Sequence, residues 1–596
     1  MAIRFGAGRP AVILNVVLTP DDRVAPAGRG SHAAAAARAP DDTLTGSVTE
    51  SGLSRTLSLR WFGQTRRAAW AAGITLAAAL LFLAYLRQSQ RVPVGSDAGS
   101  IALQAWDMRH GNLLLHGWAM SDVSFWSTEL MQYVLLEALH GLGPDVIHIG
   151  GAMTYTLLVL LTACAARGRA AGRRGAVRAL LAAVIMLAPA PGASPTLLLT
   201  PDHLGSAVPV LLAWLAAERL PARRARRAGW YAPVAVALLL AWGQVGDGLI
   251  LVTGVAPMAV ACGARAWGTA RRRAAPTGPD PGVGPDPGAR PGAAASPWPD
   301  VCLVIAAIAS AGLARAAVAL IRAGGGFVLK PVATQFAGLP AMPQHLELTA
   351  GGLLAIFGAR AAGPPSLAGL AVTALHLIGL AAVAVATAAA LRRLPRGGEP
   401  AVPGLALAIV FNVAAYLPTP YVQNLLSTRE ISAVLPFGAV LAGRVLAAPL
   451  LRARLTAAPA AAGLVFAVAL GCHAAGPAVP AQNQSLASWL AARHLTAGLS
   501  ADYWVANSTT LDAGARITVR QVSLSNGALV RPLSWGFKPD WYDPVTCYAD
   551  FLVARGRGPQ GWGAAAARAF GPPARALHPG GYTVLVWHKN LLADIR

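Results

Sequence analysis

The chain has 596 residues, of which 55% are hydrophobic and only 13% charged, with a mean hydropathy of +0.50, a formal net charge of +23 and a pI near 11.1. Soluble chains carry roughly 25% charged residues, so this composition excludes an ordinary soluble enzyme. The excess of positive charge also does not mark a nucleic-acid binder, because it sits in short clusters between apolar stretches (Arg66-Arg67, Arg173-Arg174, Arg223-Arg224 with Arg226-Arg227, Arg271 to Arg273, Arg392-Arg393) and forms no single patch.

Residues 1–60 are polar and lack sustained periodicity, and read as a disordered cytoplasmic tail. The run AVILNVVL at 11–18 is too short to span a bilayer and is followed by no cleavage-like site. Apolar stretches long enough to be candidate spans follow at about 68–87, 146–165, 177–191, 204–217, 230–244, 248–266, 301–322, 366–391, 402–418, 431–449 and 458–475. The expected fold is therefore mainly α, a polytopic membrane protein with about eleven transmembrane helices. The segment 349–359 is too short to cross. If the N-terminus is inside, the loops 166–176, 218–229, 267–300, 392–401 and 450–457 are inner and all contain arginine. The loops 88–145, 192–203, 245–247, 323–365 and 419–430 are then outer, long or acid-bearing, and thinly basic. The predicted topology is N-in and C-out.

A Pro/Gly-rich linker, 274–299, divides the spans within a transmembrane domain of 61–478. Residues 479–596 read as a small exported α/β domain, with helical spacing in SLASWLAARHL (485–495) and strand-like alternation in ARITVRQVSL (515–524) and YTVLVWH (582–588). The five cysteines show no metal-ligand spacing, and nothing in the sequence supports a disulfide between Cys472 and Cys547.

Chemistry concentrates in the first outer loop. A helix is predicted from Ser96-Asp97 to Gly111, with Ile101, Ala105 and Met108 on one face and Ser96 as its cap. Asp97 then lies in the first turn, where the helix dipole favours the ionised carboxylate, which suits a base or a metal ligand. The plain alternative is a helix-start residue. Asp107 reads as a packing or supporting group near the helix end. A second helix is predicted over about 124–140, with Glu129, Tyr133, Glu137 and His140 on one face, read as solvated. Met131, Val134, Leu135 and Leu139 form the other face, suited to lying flat on a membrane. Further acids recur at outer helix ends: Asp202 with His203, Asp247, and Glu430 beside Arg429. Helix capping is the plain reading of Asp202 and Asp247, and interfacial snorkelling that of Arg429. Together, acids and one arginine on a single face are suited to a cation and a lipid phosphate.

A first span followed by a long outer loop with an early Asp and surface-lying helices (68–87, Gly95-Ser96-Asp97, 124–140), a late Arg running into Val434-Leu435-Pro436, and an exported C-terminal domain resemble the GT-C class of polyprenyl-phosphate-dependent glycosyltransferases. More narrowly, the chain looks like actinobacterial membrane proteins of that type. The chain departs from the class pattern in lacking a paired acid beside Asp97 and in having Asp202-His203 and Arg429-Glu430 at the later positions.

The resemblance implies a sugar transferred, with inversion, from a polyprenyl-phosphate donor in the lipid bilayer to an extracytoplasmic acceptor: cell-wall glycan, lipid or protein. It assigns Asp97 as base and Arg429 as the phosphate-binding group. It makes Glu430, Asp107, His203, Trp106 and Trp126 substrate-binding candidates, and Asp97 with Asp202 candidate ligands for a divalent cation such as Mg or Mn. Trp118 and Phe125 join the aromatic set that can stack on sugar or isoprenoid. The competing readings are a lipid or solute transporter or flippase, whose functional acids belong in mid-span, and a non-catalytic membrane scaffold with a cell-wall-binding exported domain. Arg315 is the clearest charge inside a predicted span.

Overall fold

A computed structural model of the chain describes residues 50–199, 203–218, 230–274, 296–331, 335–360, 366–394, 398–532, 535–556 and 561–595. It divides into Met1–Trp70 and Ala71–Arg596. The described part of the first unit is the start of helix α1 (Glu50–Ser89). The predicted tail up to residue 49 and most of the 274–299 linker lie outside the described residues, while 50–60 are helical.

In the second unit, α1 is followed by α2 (Ser96–Arg109), α3 (Glu129–His140), α4 (Pro144–Arg167), α5 (Gly172–Leu187), the short α6 (Ser194–Leu197), α7 (Ala207–Glu218), α8 (Tyr231–Gly246), α9 (Ala256–Ala274), α10 (Trp298–Ala323), α11 (Met342–Ile356), α12 (Leu367–Leu391), α13 (Ala401–Tyr416), α14 (Val434–Arg452) and α15 (Ala457–Ala474). Each of the eleven predicted spans overlaps a helix, but among the described residues only six helices are long and apolar enough to cross a membrane, namely Ala68–Ser89 of α1, α4, α10, α12, α14 and α15, and α5 with its bent continuation makes a seventh. The helices α7, α8 and α13 are apolar but shorter. The π-turn Leu251–Val255 opens the segment continued by α9. Large apolar side chains left exposed on α1 (Leu76, Leu80), α10 (Ile308, Leu320), α12 (Ile378, Val385) and α15 (Leu464, Val468) give the bundle an apolar periphery, as a lipid environment requires and water would penalise.

Prolines explain the broken span. Ala188 precedes Pro189 and has left the helical region (φ −125°, ψ 88°), because a residue before proline is disfavoured in the α conformation. The chain turns by 79° into the segment Pro191–Leu197. The carbonyls freed at the end of α5 are met by side chains: Tyr155 donates to Met186 (2.8 Å), Tyr85 to Leu187 (2.7 Å) and Gln88 to Pro189 (2.6 Å). The bundle core is filled by small residues that admit close helix approach. Gly404 sits under the Trp214 ring, where an added Cβ would fall 2.1 Å from a ring carbon.

The apolar face of α3 is outward, as a helix lying on a membrane requires, but the face predicted to be solvated is turned inward except at His140. Glu129, Tyr133 and Glu137 are buried, while Leu135 (68% exposed) and Leu139 (80%) are outward. An amphipathic helix at a membrane turns its apolar side to lipid, which leaves its polar side for the protein interior. Glu137 is fully buried, with neither carboxylate oxygen hydrogen-bonded. Burial pushes its carboxyl up to about 9, with Arg109 pulling the other way. It is thus protonated in the folded protein at neutral pH, whereas the unfolded carboxyl ionises near 4.5. The folded state is therefore increasingly disfavoured as pH rises from about 4.5 towards about 9. Glu137→Gln is expected to stabilise the protein by about 1–3 kcal/mol at mildly alkaline pH and to flatten that dependence. Thermal unfolding in detergent across this range checks it, and an unchanged slope in the variant would contradict the assignment.

The C-terminal region contains α16 (Gln484–Ala491), β1 (Ala497–Ser500), α17 (Tyr503–Asp512), β2 (Thr518–Gln521), β3 (Ser523–Ser525), β4 (Ala528–Val530), β5 (Phe551–Arg555), α18 (Trp562–Phe570), β6 (Arg575–Leu577) and β7 (Tyr582–Val586). The sheet order is β2-β1-β5-β7-β6, with β1 parallel to β2 and β5, and β7 antiparallel to β5 and β6; β3 and β4 form a separate hairpin. The predicted strand 515–524 is thus split between β2 and β3. On β5, Phe551 and Val553 face the layer of α16 and α17, and Leu552 and Ala554 face that of α18, the two-residue alternation of a strand covered on both sides.

Candidate active site

The helix α2 starts at Ser96, as the sequence indicates, but Gly95 holds the N-cap position and no side chain caps it. The predicted cap Ser96 lies 3.4 Å from the Ser508 hydroxyl on α17. Asp97 occupies the first turn. Arg429 is presented by the short 3-10 helix Leu425–Ile431, whose start is locked by a capping box between Asn424 and Ser427. The two side chains meet across 332 residues of sequence, with Arg429 Nη1 donating to Asp97 Oδ2 at 3.0 Å. A third group comes from the C-terminal region: the Tyr503 hydroxyl, at the first residue of α17, donates to Asp97 Oδ1 at 2.5 Å.

Beside this pair runs a buried chain of charges. His203 Nε2 is 2.7 Å from Glu430 Oε2, and His203 Nδ1 is 2.8 Å from Asp247 Oδ2. Asp247 also accepts from the Ser206 hydroxyl and from the Leu249 amide (2.8 Å). Burial alone would push the His203 imidazole down, but Asp247 and Glu430 outweigh it and hold the ring well above its ordinary value. His203 is therefore an imidazolium whose two N–H groups span two carboxylates. Burial opposes the charge of Asp247 as well, but His203, Ser206 and the Leu249 amide hold it low. Glu129 lies against Gly205, where an added Cβ would fall 1.8 Å from its Oε1. Burial, helped by the charge of Asp247, pushes this carboxyl up to about 7.

Asp97, His203, Arg429 and Glu430 line one cavity of about 300 Å³, with Asp122, Phe125, Tyr421, Lys330 and Trp535 among its other walls. The Tyr421 hydroxyl donates to Asp122 at 3.1 Å. Two larger cavities, of about 670 and 440 Å³, border α12 and α15, and a third, of about 640 Å³, lies between Pro93 and the segment Val479–Ser488; none of the three has a carboxylate in its walls.

Five of the sequence-derived candidates, Asp97, Phe125, His203, Arg429 and Glu430, are thus brought together. Asp107, Trp106, Trp118 and Trp126 are not among the residues lining this cavity. Asp107 accepts from Trp118 (2.7 Å), Asn112 (2.6 Å) and Lys538 (3.0 Å), tying the first loop to the C-terminal region. Trp106 stacks on His110 and Arg109. Trp126 donates to the Leu113 carbonyl at 2.8 Å. Asp202 lies outside the described residues. The predicted cation pair Asp97–Asp202 thus has only one described member, whose two oxygens are engaged by Arg429 and Tyr503, and among the described residues no three His, Cys, Asp or Glu side chains are grouped to hold an ion. Tyr503, Asp122, Tyr421 and Trp535 carry no local motif, and only the fold brings them here. Asp247 is legible as an acid in a tight turn, but its pairing with His203 is not.

No protein-family model matches the chain, and no curated protein matches it. Solved structures do. Among them is a crystal structure of ArnT from Cupriavidus metallidurans bound to undecaprenyl phosphate, with a TM-score of 0.38 and 14% identity, covering 87% of this chain and 98% of that one. Activity resides in sites and not in folds, so the functional reading below rests on the cavity itself.

Proposed function

We propose that the chain is a membrane glycosyltransferase that moves a sugar from a polyprenyl-phosphate donor to an extracytoplasmic acceptor, a cell-wall glycan, lipid or protein, at the Asp97–Arg429 cavity. The observation that carries the reading is the meeting of Asp97 and Arg429 at 3.0 Å in a cavity that also holds Glu430 and His203. A carboxylate and a guanidinium side by side are what an inverting transfer from a phosphate leaving group needs. Asp97 takes the proton of the acceptor hydroxyl as its oxygen attacks the anomeric carbon. The bond to the phosphate oxygen breaks on the opposite face, and Arg429 meets the charge that develops there. Glu430, held by the His203 imidazolium, is placed to accept hydrogen bonds from sugar or acceptor hydroxyls. Tyr421 and Trp535 offer aromatic surface to a sugar ring. The arginine clusters of the loops orient the chain with its N-terminus inside, so that the cavity opens to the outer side.

The transporter reading draws no support from these acids, which sit at helix ends and in loops. The test is transfer in membranes supplied with a panel of polyprenyl-phosphate sugars. Arg429→Ala is expected to raise the donor KM by at least about tenfold, because a charge-assisted contact to phosphate is worth about 1.5–3 kcal/mol. A donor KM equal to wild type would remove Arg429 from the phosphate site.

A further inference from the structure

Three features of the C-terminal region converge on the first outer helix. The helix α17 is pressed onto α2 at Gly99, where an added Cβ would stand 3.2 Å from the Asn507 carbonyl carbon and oxygen. Asn507 Nδ2 in turn donates to the Gly536 carbonyl at 3.1 Å, next to Trp535 in the cavity wall. At the start of the same helix, Asp502 accepts from the Trp504 amide at 2.9 Å and pairs with Arg555 of β5 at 3.3 Å. The first turn of α17 is thus fastened to the sheet on one side and to α2 on the other. Its first side chain, Tyr503, is largely withdrawn from solvent and reaches the Asp97 carboxylate. Burial and the neighbouring Asp97 charge push the Tyr503 phenol up, so it stays a donor.

We infer that Tyr503 is a positioning residue for the Asp97 base, and that the C-terminal α/β region therefore completes the catalytic site. This rests on the transferase reading. Arg429 holds one oxygen of Asp97 and Tyr503 the other, so the carboxylate is fixed at both ends. When Arg429 turns to the donor phosphate, Tyr503 is the contact that keeps Asp97 aimed at the acceptor hydroxyl. A carboxylate free to rotate about its last bond loses the near-attack geometry that proton transfer requires. The arrangement also makes the base competent only with α17 docked on α2.

The test uses purified full-length wild type, Tyr503→Phe, Asp97→Asn and the double variant in lipid nanodiscs, assayed with undecaprenyl-phosphate mannose, glucose and arabinose. Tyr503→Phe keeps the ring and its packing and removes only the hydroxyl. Its kcat is expected to fall about tenfold while the donor KM stays within about twofold of wild type, one lost hydrogen bond to a charged group being worth about that factor. A residue that merely held the region in place would change donor KM along with kcat. The thermal midpoints of the four proteins form a cycle that needs no substrate, and the two single shifts are expected to be non-additive because the side chains touch. Wild-type kcat in Tyr503→Phe alongside an inactive Asp97→Asn would overturn the inference and leave the transferase reading standing. Additive midpoint shifts would overturn it too. Full activity in Asp97→Asn would instead remove the transferase reading, and the inference with it.

Discussion

Asp97→Asn is expected to abolish sugar transfer to within background, a loss of about 10³-fold or more, while leaving the protein folded and the donor bound. Removing a positioned general base costs typically about 10²–10⁴ in rate. Asparagine matches the shape of aspartate but has a single accepting oxygen, so it keeps the bond from Tyr503 or from Arg429 and not both, and it cannot take a proton. Stability should change little, because the Asp97–Arg429 pair is partly open to solvent, with side chains 20% and 36% exposed, and such pairs are worth about 0–1 kcal/mol. The measurement is the initial rate of transfer at saturating donor, with thermal unfolding as the control for folding. A variant within about threefold of wild type would show that the carboxylate is not the base.

Arg444→Ala is expected to be the most destabilising single change, by about 3–5 kcal/mol. Arg444 lies on α14, with only 2% of its side chain exposed. Its Nε donates to the Ala165 carbonyl at 2.8 Å and its Nη2 to Glu218 Oε2 at 2.8 Å. Glu399 joins at 3.2 Å and is itself held by Arg178 of α5 at 3.0 Å. Alanine would leave the Glu218 carboxylate, 8% exposed, without its guanidinium and the end of α4 without a donor for Ala165. Breaking a buried pair by removing one partner costs far more than removing both. The double variant Arg444→Met with Glu218→Gln should therefore unfold at a higher temperature than Arg444→Met alone. A double variant no better than the single would show that the arginine contributes packing and not charge.

These two arginines also mark where sequence reading fell short. Arg315 stood out as the charge within a predicted span, yet it is exposed on α10. Within the described part of the predicted spans the buried charges are Arg178 and Arg444, whose partners are 221 and 226 residues distant in sequence. Local features were legible because local chemistry sets them: the start of α2, its arrest at Gly111, and strands such as β7. The stop of α5 was readable in Ala188-Pro189-Ala190-Pro191, since a proline pair cannot continue a helix, but length alone carried the predicted span on to 191. The apolar face of α3 is legible as a membrane face, but amphipathicity does not show whether the opposite face meets water or protein, and Glu129 and Glu137 meet protein.

The candidate site divides in the same way. Residue type at helix and span ends marks Asp97 and Arg429, and the fold joins them. Glu430 and His203 were chosen for being adjacent to acids or arginine, and the structure gives them a shared bond. Trp106 and Trp126 were chosen for aromatic character alone, and each has a local partner away from the cavity. Asp107 fulfils the supporting role of its plain reading. Tyr503, 406 residues from Asp97, was beyond reach because nothing in a run of YWVANSTT indicates which way its first ring points.

The most direct measurement of the central claim is release of undecaprenyl phosphate from undecaprenyl-phosphate sugars by the purified protein in nanodiscs, wild type against Asp97→Asn. Acceptor-dependent release from at least one donor is expected from wild type and none above background from Asp97→Asn, with the donor still bound. Equal release by both proteins, or none from any donor by wild type in the presence of cell-envelope acceptors, would contradict it.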